Sequence, residues 1–222
     1  MSPITAVIFD MDGLLIDSEP LWQDSMIEVF ARVGIHLDRD MCRQTMGVRI
    51  DEVVEIWHGR LPWNGPSKEE VRNSIVADVV HRVREQGVLL PGVLATVQDL
   101  TERGIPLALA SSSQFVLIDA VLDHFYLRDY FQIVHSAESE PYGKPHPGVY
   151  LTTASLLGKR ARECLAVEDS MNGLVAAKAA MMRCLMVPDV ALREDPRLSL
   201  ADLVVESLEK LDGEAWEQFF ND

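Results

Sequence analysis

Short apolar runs alternate with helical patterns along most of this chain, and the alternation leaves few folds open to it. The first run covers residues 5–9 and is followed by Asp10. Similar runs occur at residues 106–110, 132–134, 164–167, 184–187 and, more weakly, 203–205. Apolar runs of this length are typical of buried strands. The sequence therefore predicts an α/β fold in which a doubly wound parallel sheet carries helices on both faces.

A long segment after the first predicted strand breaks this alternation. Residues 17–87 contain no clear strand, but apolar spacing before Gly34 indicates one helix, and a capping box from Ser67 to Glu70 opens another. We interpret the segment as a helical cap inserted through two linkers; a continuous helical subdomain packed rigidly on the sheet is the alternative. The predicted division is a core of residues 1–16 and 88–222 and a cap of residues 17–87.

The charge balance limits the partners of the chain. Its 35 acidic and 20 basic residues give a net charge of −15, which repels nucleic acid and anionic membrane surfaces. No apolar run reaches the ~20 residues of a membrane span, and residues 1–9 lack the cationic start of a signal peptide. We expect a cytoplasmic, monomeric protein that binds neither nucleic acid nor membrane. Its scattered cysteines have no ligand-like spacing and are expected to be reduced thiols: Cys42, Cys164 and Cys184.

Acidic pairs stand where two of the predicted strands end. Asp10 and Asp12 follow the first run, and Glu168 and Asp169 follow the run at residues 164–167. Carboxylates at the end of a buried strand cost free energy unless a cation or hydrogen bonds satisfy them. Mg²⁺ prefers oxygen ligands from carboxylate, water and phosphate, so both pairs are candidate metal ligands. A solvated turn at the first pair and a helix N-cap at the second are the alternatives.

Hydroxyl groups and a lysine follow two further predicted strands. Residues 111–113 are serines before a predicted helix, where hydroxyl and backbone N–H groups suit a phosphate; simple helix capping is the alternative. Lys144 lies in a loop stiffened by prolines, and a fixed ammonium group neutralises a transferring phosphoryl group; a solvated surface lysine is the alternative. Because the ends of parallel strands share one edge of the sheet, we expect all these groups to converge.

The order acid pair, hydroxyl, lysine, acid pair resembles the haloacid-dehalogenase-like superfamily, in its phosphatase branch, over essentially the whole chain. Asp10 begins the match to its first motif, Ser111 matches the second, Lys144 the third, and Glu168 with Asp169 the fourth. A helical insertion directly after the first motif is similar to the first cap class of that superfamily. The resemblance implies a Rossmann-like core and the hydrolysis of phosphate monoesters.

The resemblance also implies a role for each matched residue. Asp10 would attack phosphorus and form an aspartyl phosphate, and Asp12 would act first as general acid and then as general base. Mg²⁺, with Mn²⁺ or Co²⁺ as substitutes, would be held by Asp10, the main-chain carbonyl of Asp12, Asp169 and Glu168. The residues implied to bind the phosphorylated substrate at this end are Asp10, Met11, Asp12, Ser111, Ser112 and Lys144.

Three segments carry a closer resemblance. Residues 10–22, 45–50 and 61–66 are similar to bacterial hexitol phosphatases, also described as 2-deoxyglucose-6-phosphate phosphatases. This implies a small phosphorylated sugar or sugar alcohol as substrate. Specificity must then come from groups that face the leaving alcohol, and the cap residues expected there are Glu19, Trp22 and Arg49. A surface ion pair of Glu19 with Arg49 is the alternative, and the residues expected in the core of the cap are Met46, Trp57 and Trp63.

Three other functions fit parts of this pattern. A sugar phosphomutase of the same superfamily would use the same motifs, but its cap would have to retain and reorient a sugar bisphosphate. A haloacid dehalogenase would need neither Mg²⁺ nor a second acid, so Asp12, Glu168 and Asp169 argue against it. A non-enzymatic phosphoacceptor module resembling receiver domains combines similar residues on a similar sheet, but such modules are much shorter and have no cap.

Overall fold

The computed structural model describes residues 3–211 and 213–220, and within them six parallel strands form one sheet. The strands are β1 (Ala6–Phe9), β2 (Leu107–Ser111), β3 (Ile133–Ser136), β4 (Cys164–Glu168), β5 (Arg183–Met186) and β6 (Leu203–Val204). Their order across the sheet is β3-β2-β1-β4-β5-β6. The chain builds outward from β1 in one direction and then, from β4, in the other, which is a doubly wound topology. The predicted fold class is confirmed.

Helices connect the strands and cover the sheet. Those between β1 and β2 are α1 (Glu19–Arg32), α2 (Arg39–Arg43), α3 (Ile50–Arg60), α4 (Lys68–Gln86) and α5 (Val93–Glu102). The later ones are α6 (Phe115–His124), α7 (Gly148–Leu156), α8 (Met171–Ala179) and α9 (Gly213–Phe220). Helices α6, α7 and α8 each follow a strand, as the alternating pattern predicts.

The two faces of the sheet pack against different side chains. On β1, Val7 and Phe9 belong to a cluster that includes apolar residues of α1 and α3 to α6, whereas Ala6 and Ile8 belong to a second cluster with residues of α7 and α8. Every residue of β1 is buried. A strand that is covered on both faces reads as a continuous apolar run, and this is why the strand could be recognised in the sequence.

The register of the sheet places the two acid pairs side by side at the carboxyl ends of neighbouring strands. Phe9 of β1 pairs with Val167 of β4 in parallel register, so Asp10 and Glu168 follow at the same edge. Strands β1 and β4 are neighbours at the point where the strand order reverses. In doubly wound sheets this reversal opens a crevice at the carboxyl ends of the strands, and ligands bind there.

The helical segment between β1 and α5 contains α1 to α4, and no strand interrupts it in the part of the chain that is described. The predicted capping box is present. The backbone N–H of Ser67 donates to the Glu70 carboxylate, and the backbone N–H of Glu70 donates to the Ser67 hydroxyl. Helices α1 and α3 pack on α4, and α4 also packs on α6. Trp57 and Trp63 are buried as predicted, whereas Met46 is only half-buried. The domain bounds given above stay a prediction.

The chain enters and leaves this helical segment through two linkers that pair with each other. The N–H of Asp17 donates to the carbonyl of Val88, and the N–H of Leu90 donates to the carbonyl of Leu15, both at 3.0 Å. The pairing is antiparallel. The two connections are therefore adjacent in space although they are far apart in the sequence.

Two expectations from composition can be compared with the structure. Cys42, Cys164 and Cys184 are buried and form no disulfide, as expected for reduced thiols. Among the described residues, no helix is both long enough and apolar enough to cross a bilayer.

Candidate active site

Lys144 lies at the centre of a buried polar cluster at the edge where β1 and β4 end. Its Nζ donates to Oδ1 of Asp10 and to Oε1 of Glu168, both at 2.6 Å, and to the carbonyl of Ala110 at 3.0 Å. The hydroxyl of Tyr150 donates to the same Glu168 oxygen at 2.6 Å. Lys144 is only 4% exposed, so its ammonium group is fixed rather than solvated.

The cluster shifts the acidity of its members. Burial raises the pKa of the Asp10 carboxyl to about 7; Lys144 opposes this shift, and the carboxylates of Glu168 and Asp12 add to it. Burial alone would lower the pKa of Lys144, but Asp10 and Glu168 outweigh it and raise that pKa above its ordinary value. Lys144 is therefore charged at neutral pH, and a further positive charge nearby would favour the ionised form of Asp10.

The acids of this cluster fit a divalent cation. Side-chain oxygens of Asp10, Glu168 and Asp169 lie within 4.8 Å of one another. Oδ1 of Asp169 is buried and has no hydrogen-bond partner among the described residues. Burial, together with the charges of Glu168 and Asp10, raises the pKa of Asp169 well above its ordinary value. A hard cation takes oxygen ligands and would lower these pKa values, so the donor set suits it.

Two of these carboxylates occupy space that is free only because the neighbouring residues are glycines without a side chain. A Cβ atom at Gly13 would lie 2.2 Å from Oδ2 of Asp169, and the φ of 74° at Gly13 is one that other residues rarely adopt. A Cβ atom at Gly173, in α8, would lie 1.9 Å from Oε1 of Glu168. A side chain at either position would displace an acid of the cluster.

The carboxylate of Asp12 is held by neutral donors. Oδ1 accepts from Oγ of Ser18 at 2.7 Å and from Nε1 of Trp22 at 3.0 Å, and Oδ2 accepts from Oγ of Ser113 at 2.7 Å. Ser18 precedes α1 as its N-cap residue, yet its side chain does not cap the helix. Asp12 therefore lies between α1 and the loop after β2, and its partners differ from those of Asp10.

The serine loop after β2 offers a hydroxyl to a ligand. Ser111 is fully buried, and its Oγ accepts the N–H of Ser113 at 3.0 Å. Oγ of Ser112 is buried and has no partner within the described ranges. Buried polar atoms are nearly always hydrogen-bonded, so Ser112 is suited to binding a group such as a phosphate oxygen.

A cavity of about 420 Å³ is lined by part of this cluster and by α1. The residues predicted from the sequence that line it are Asp10, Asp12, Glu19, Trp22, Ser112, Lys144 and Asp169. Met11, Ser111 and Glu168 are fully buried and do not belong to the lining. The structure thus brings together residues from the four strand ends that the sequence singled out.

Arg49 connects the start of α3 to the core and does not belong to the cavity lining. Its Nη1 donates to the carbonyls of Ala137 and Glu140 at 2.9 and 3.0 Å. Its Nε and Nη2 donate to the two carboxylate oxygens of Asp51 at 2.7 and 2.9 Å. The expected contact of Arg49 with a substrate stays a prediction, and the observed contacts hold its loop against the core.

Glu19 faces the cavity from the first turn of α1. Its Oε1 accepts from the Gln23 amide at 2.7 Å. The alternative ion pair with Arg49 is not among the ion pairs of the described residues, where Arg49 pairs with Asp51 and Glu52 instead. Burial raises the pKa of Glu19; the hydrogen bond from Gln23 opposes this, and the charge of Asp12 adds to it.

Several residues of the site were not identified as such from the sequence. Ser18 and Tyr150 hold Asp12 and Glu168, but each reads in the sequence as a helix cap or as an ordinary core position. Ser113, one of the serines expected at a phosphate or as a helix cap, donates to Asp12 instead. The cavity is also lined by residues 187–190 and 206–209. A signal existed for these segments, because they follow β5 and β6 and hence lie at the same edge of the sheet.

Comparison with known proteins gives the family. A family model described as haloacid dehalogenase-like hydrolase matches residues 4–180. Hexitol phosphatase B of Escherichia coli (strain K12) is 47% identical over 209 residues, which cover 94% of this chain and 94% of that protein. Protein CbbY, plasmid, of Cupriavidus necator is 31% identical over 207 residues, which cover 86% of this chain and 80% of that protein.

Solved structures agree with this family. CbbY from Rhodobacter sphaeroides in complex with phosphate has a TM-score of 0.84 at 26% identity, covering 94% of this chain and 96% of that chain. β-Phosphoglucomutase from Clostridium difficile has a TM-score of 0.84 at 25% identity, covering 98% and 97%. The residues matched by the family model contain Lys144 and the acids around it. As its sequence resemblance implied, the chain belongs to the haloacid dehalogenase-like hydrolase family.

Proposed function

We propose that this hydrolase is a Mg²⁺-dependent phosphatase that acts on phosphate monoesters of small sugars or sugar alcohols, hexitol phosphates and 2-deoxyglucose 6-phosphate among them. The observation that carries the proposal is the buried contact of Lys144 with Asp10, at a cavity wall and beside an unpaired oxygen of Asp169. Hexitol phosphatase B, at 47% identity, supports the substrate class.

Asp10 is the proposed nucleophile. Lys144 holds Oδ1, so Oδ2 is the oxygen that remains to attack phosphorus in line and form an aspartyl phosphate. The charged Lys144 neutralises the transferring phosphoryl group. The other phosphate oxygens would be bound by the hydroxyl and N–H of Ser112, by Ser111, and by the backbone at Met11.

Asp12 is the proposed general acid and base. It first protonates the alkoxide that leaves, and then takes a proton from the water that attacks the aspartyl phosphate. Its carboxylate accepts hydrogen bonds from Ser18, Trp22 and Ser113, whereas Lys144 donates to Asp10. One carboxyl group can therefore form the bond to phosphorus while the other moves the proton.

The metal would be held by Asp10, the main-chain carbonyl of Asp12, Asp169 and Glu168. When bound, Mg²⁺ supplies positive charge to the phosphate oxygens, and Mn²⁺ or Co²⁺ are expected to substitute for it. The clustered acids and the unpaired oxygen of Asp169 support this assignment. Lys144 and the ion would offset a net charge of −15 that otherwise repels a phosphate ester.

The charges around the cavity favour a substrate with one phosphate and an uncharged leaving group. Beyond the metal cluster and Asp12, the acids in the lining are Asp17, Glu19, Asp189, Glu206 and Glu209. Within the described lining, the cationic side chains are Lys144 and Arg193. A bisphosphate would meet repulsion at its second phosphate. For this reason we prefer the phosphatase to a sugar phosphomutase, although β-phosphoglucomutase has a similar fold.

The proposal includes the setting of the enzyme. We expect a cytoplasmic monomer, and a net charge of −15 supports a protein that binds neither nucleic acid nor anionic membrane. It also includes a core of residues 1–16 and 88–222 with a cap of residues 17–87. The paired linkers on either side of that cap support this division.

The test is the release of inorganic phosphate from a panel of phosphate monoesters, with Mg²⁺ and with excess chelator. We expect sorbitol 6-phosphate, mannitol 1-phosphate and 2-deoxyglucose 6-phosphate to rank above nucleoside monophosphates and phosphoglycolate. Asp10→Asn should lose several orders of magnitude in turnover, because an amide is a poor nucleophile. Asp99→Asn is the control, since Asp99 forms a surface ion pair with Arg103 and should not affect turnover.

The outcomes separate the chemistry from the substrate. Full activity of Asp10→Asn, or of the wild type in chelator, would contradict the chemistry. Nucleoside monophosphates at the top of the panel would contradict only the substrate class. An isomerised sugar phosphate in place of free phosphate would identify a mutase, and a stable phosphorylated Asp10 without turnover would identify a phosphoacceptor module.

A further inference from the structure

Asp12 receives hydrogen bonds from two separate parts of the fold. Ser18 and Trp22, at the start of α1, both donate to Oδ1, at 2.7 and 3.0 Å. Ser113, in the loop after β2, donates to Oδ2 at 2.7 Å. The carboxylate therefore spans the gap between the helical segment and the sheet, and its orientation depends on both.

The geometry of α1 makes its two donors act together. Ser18 and Trp22 are four positions apart, which places them on one face of a helix. The N–H of Trp22 donates to the carbonyl of Ser18 at 2.9 Å, so their relative position is fixed by the helix itself. The hydroxyl of Ser18 serves Asp12 although its usual role at an N-cap would be to accept from the helix.

These contacts determine which oxygen of Asp12 can carry a proton. A carboxylate oxygen has two lone-pair sites. The two donors from α1 fill both sites of Oδ1, whereas Ser113 fills only one site of Oδ2. When Asp12 is an acid, its proton is therefore on Oδ2, and the indole of Trp22 fixes the carboxyl group in the orientation that presents it.

We propose that Trp22 is a positioning residue for proton transfer, because its indole N–H fixes Asp12 for donation of a proton to the leaving oxygen. The inference rests on the proposed function, since it requires Asp12 to be the general acid. It gives Trp22 a task that is independent of any contact between its ring and a sugar. Trp22→Phe removes the N–H donor and keeps most of the aromatic surface.

The experiment measures kcat/KM for a series of substituted phenyl phosphates, from phenyl to 4-nitrophenyl phosphate. Phenolate is a poor leaving group that needs a proton from Asp12, whereas 4-nitrophenolate departs largely without one. We expect Trp22→Phe to lose about tenfold on phenyl phosphate and about twofold or less on 4-nitrophenyl phosphate. These esters carry no polyol, so the loss of a sugar contact would not change their ratio.

Two controls exclude simple explanations. The ratio between two esters is measured on one preparation, so a smaller fraction of folded enzyme leaves it unchanged. Trp63→Phe is the matched variant, because the indole N–H of Trp63 donates to the carbonyl of Pro66, away from the site. Its ratio should equal that of the wild type.

Asp12→Asn separates this inference from the proposed function. Among the variants, kcat/KM of Asp12→Asn should depend most steeply on the leaving group. Adding Trp22→Phe to Asp12→Asn should not make that dependence steeper. A wild-type dependence in Asp12→Asn would overturn the role of Asp12, and the role of Trp22 with it. If Asp12→Asn is steep but Trp22→Phe loses equally on all phenyl esters, or loses only on hexitol phosphates, the inference about Trp22 is overturned while Asp12 remains the acid.

Discussion

The ammonium group of Lys144 lies 2.6 Å from Oδ1 of Asp10, and both residues are almost fully buried. A charge pair in such a place is costly to assemble, and removal of one partner leaves the other charge uncompensated. The geometry is therefore more informative about chemistry than about stability. It places a fixed positive charge beside the proposed nucleophile, where it can neutralise a phosphoryl group that is transferred to Asp10.

Lys144→Ala should reduce kcat for any phosphate monoester by about 10²–10³-fold, the usual loss when one preorganised donor is removed. Steady-state kinetics on 4-nitrophenyl phosphate would measure it. Lys68→Ala is the control, since Lys68 forms an exposed ion pair with Glu55 in the helical segment. A rate within twofold of the wild type would show that Lys144 plays no part in the transfer.

Stability in chelator should depend on pH through Asp10. Its pKa, raised by burial from 3.8 to about 7, means that the folded protein holds this proton more tightly than the unfolded chain. The resulting stabilisation is complete below about pH 4 and is lost as the pH rises towards 7. Asp10→Asn has no such loss, so the Tm of this variant relative to that of the wild type should rise from pH 4 to pH 7.

Mg²⁺ should oppose the loss of wild-type stability that occurs in chelator as the pH rises. It binds deprotonated carboxylates, so its stabilising effect on the wild type should be larger at pH 8 than at pH 5. Thermal melts at both pH values, with and without the ion, would measure the shift in Tm. An equal shift in the wild type and in Asp10→Asn would show that Asp10 does not hold the metal.

Arg49→Ala should lower kcat/KM by about tenfold for sorbitol 6-phosphate and for 4-nitrophenyl phosphate alike. The reason is that its guanidinium group holds the start of α3 against the carbonyls of Ala137 and Glu140, which every substrate requires equally. Arg32→Ala, from an exposed pair within α1, is the control. A selective loss on the hexitol ester would show that Arg49 contacts the sugar after all.

Gluconate 6-phosphate should be a poorer substrate than sorbitol 6-phosphate by about tenfold or more, because its terminal carboxylate would face the acids of the cavity. Glu19→Gln should reduce the difference in kcat/KM between the two substrates, and added salt should reduce it as well. Glu85→Gln, at an exposed position of α4, should leave it unchanged. Equal kcat/KM values for the two wild-type reactions would show that the cavity does not select against charge.

The sequence permitted the prediction of those parts of the fold and site that depend on local patterns. Strands buried on both faces are continuous apolar runs, so β1, β2 and β4 could be located, and with them the loops that follow. Lys144 was recognisable because proline and glycine mark its loop. These signals depend on neighbours in the chain, which a single sequence displays directly.

Contacts between distant segments could not be predicted in this way. Arg49 finds its partners Ala137 and Glu140 at separations of 88 and 91 residues, and no periodicity encodes such a pairing. Ser113 reads as a helix cap, and only the folded chain brings Asp12, at a separation of 101 residues, within reach of its hydroxyl. Met46 was expected in the core of the cap because it is apolar, but it lines the cavity.

The pairing of Leu15 with Leu90, and of Asp17 with Val88, has a consequence for how such an enzyme changes in evolution. Two chain ends held side by side can be joined by a short turn or by a different insert at a small cost in loop-closure entropy. The strands and the acids at their ends would keep their places in either case. Selectivity for the alcohol is thus free to diverge by exchange of the inserted helices, while the machinery that breaks the phosphate ester is inherited unchanged.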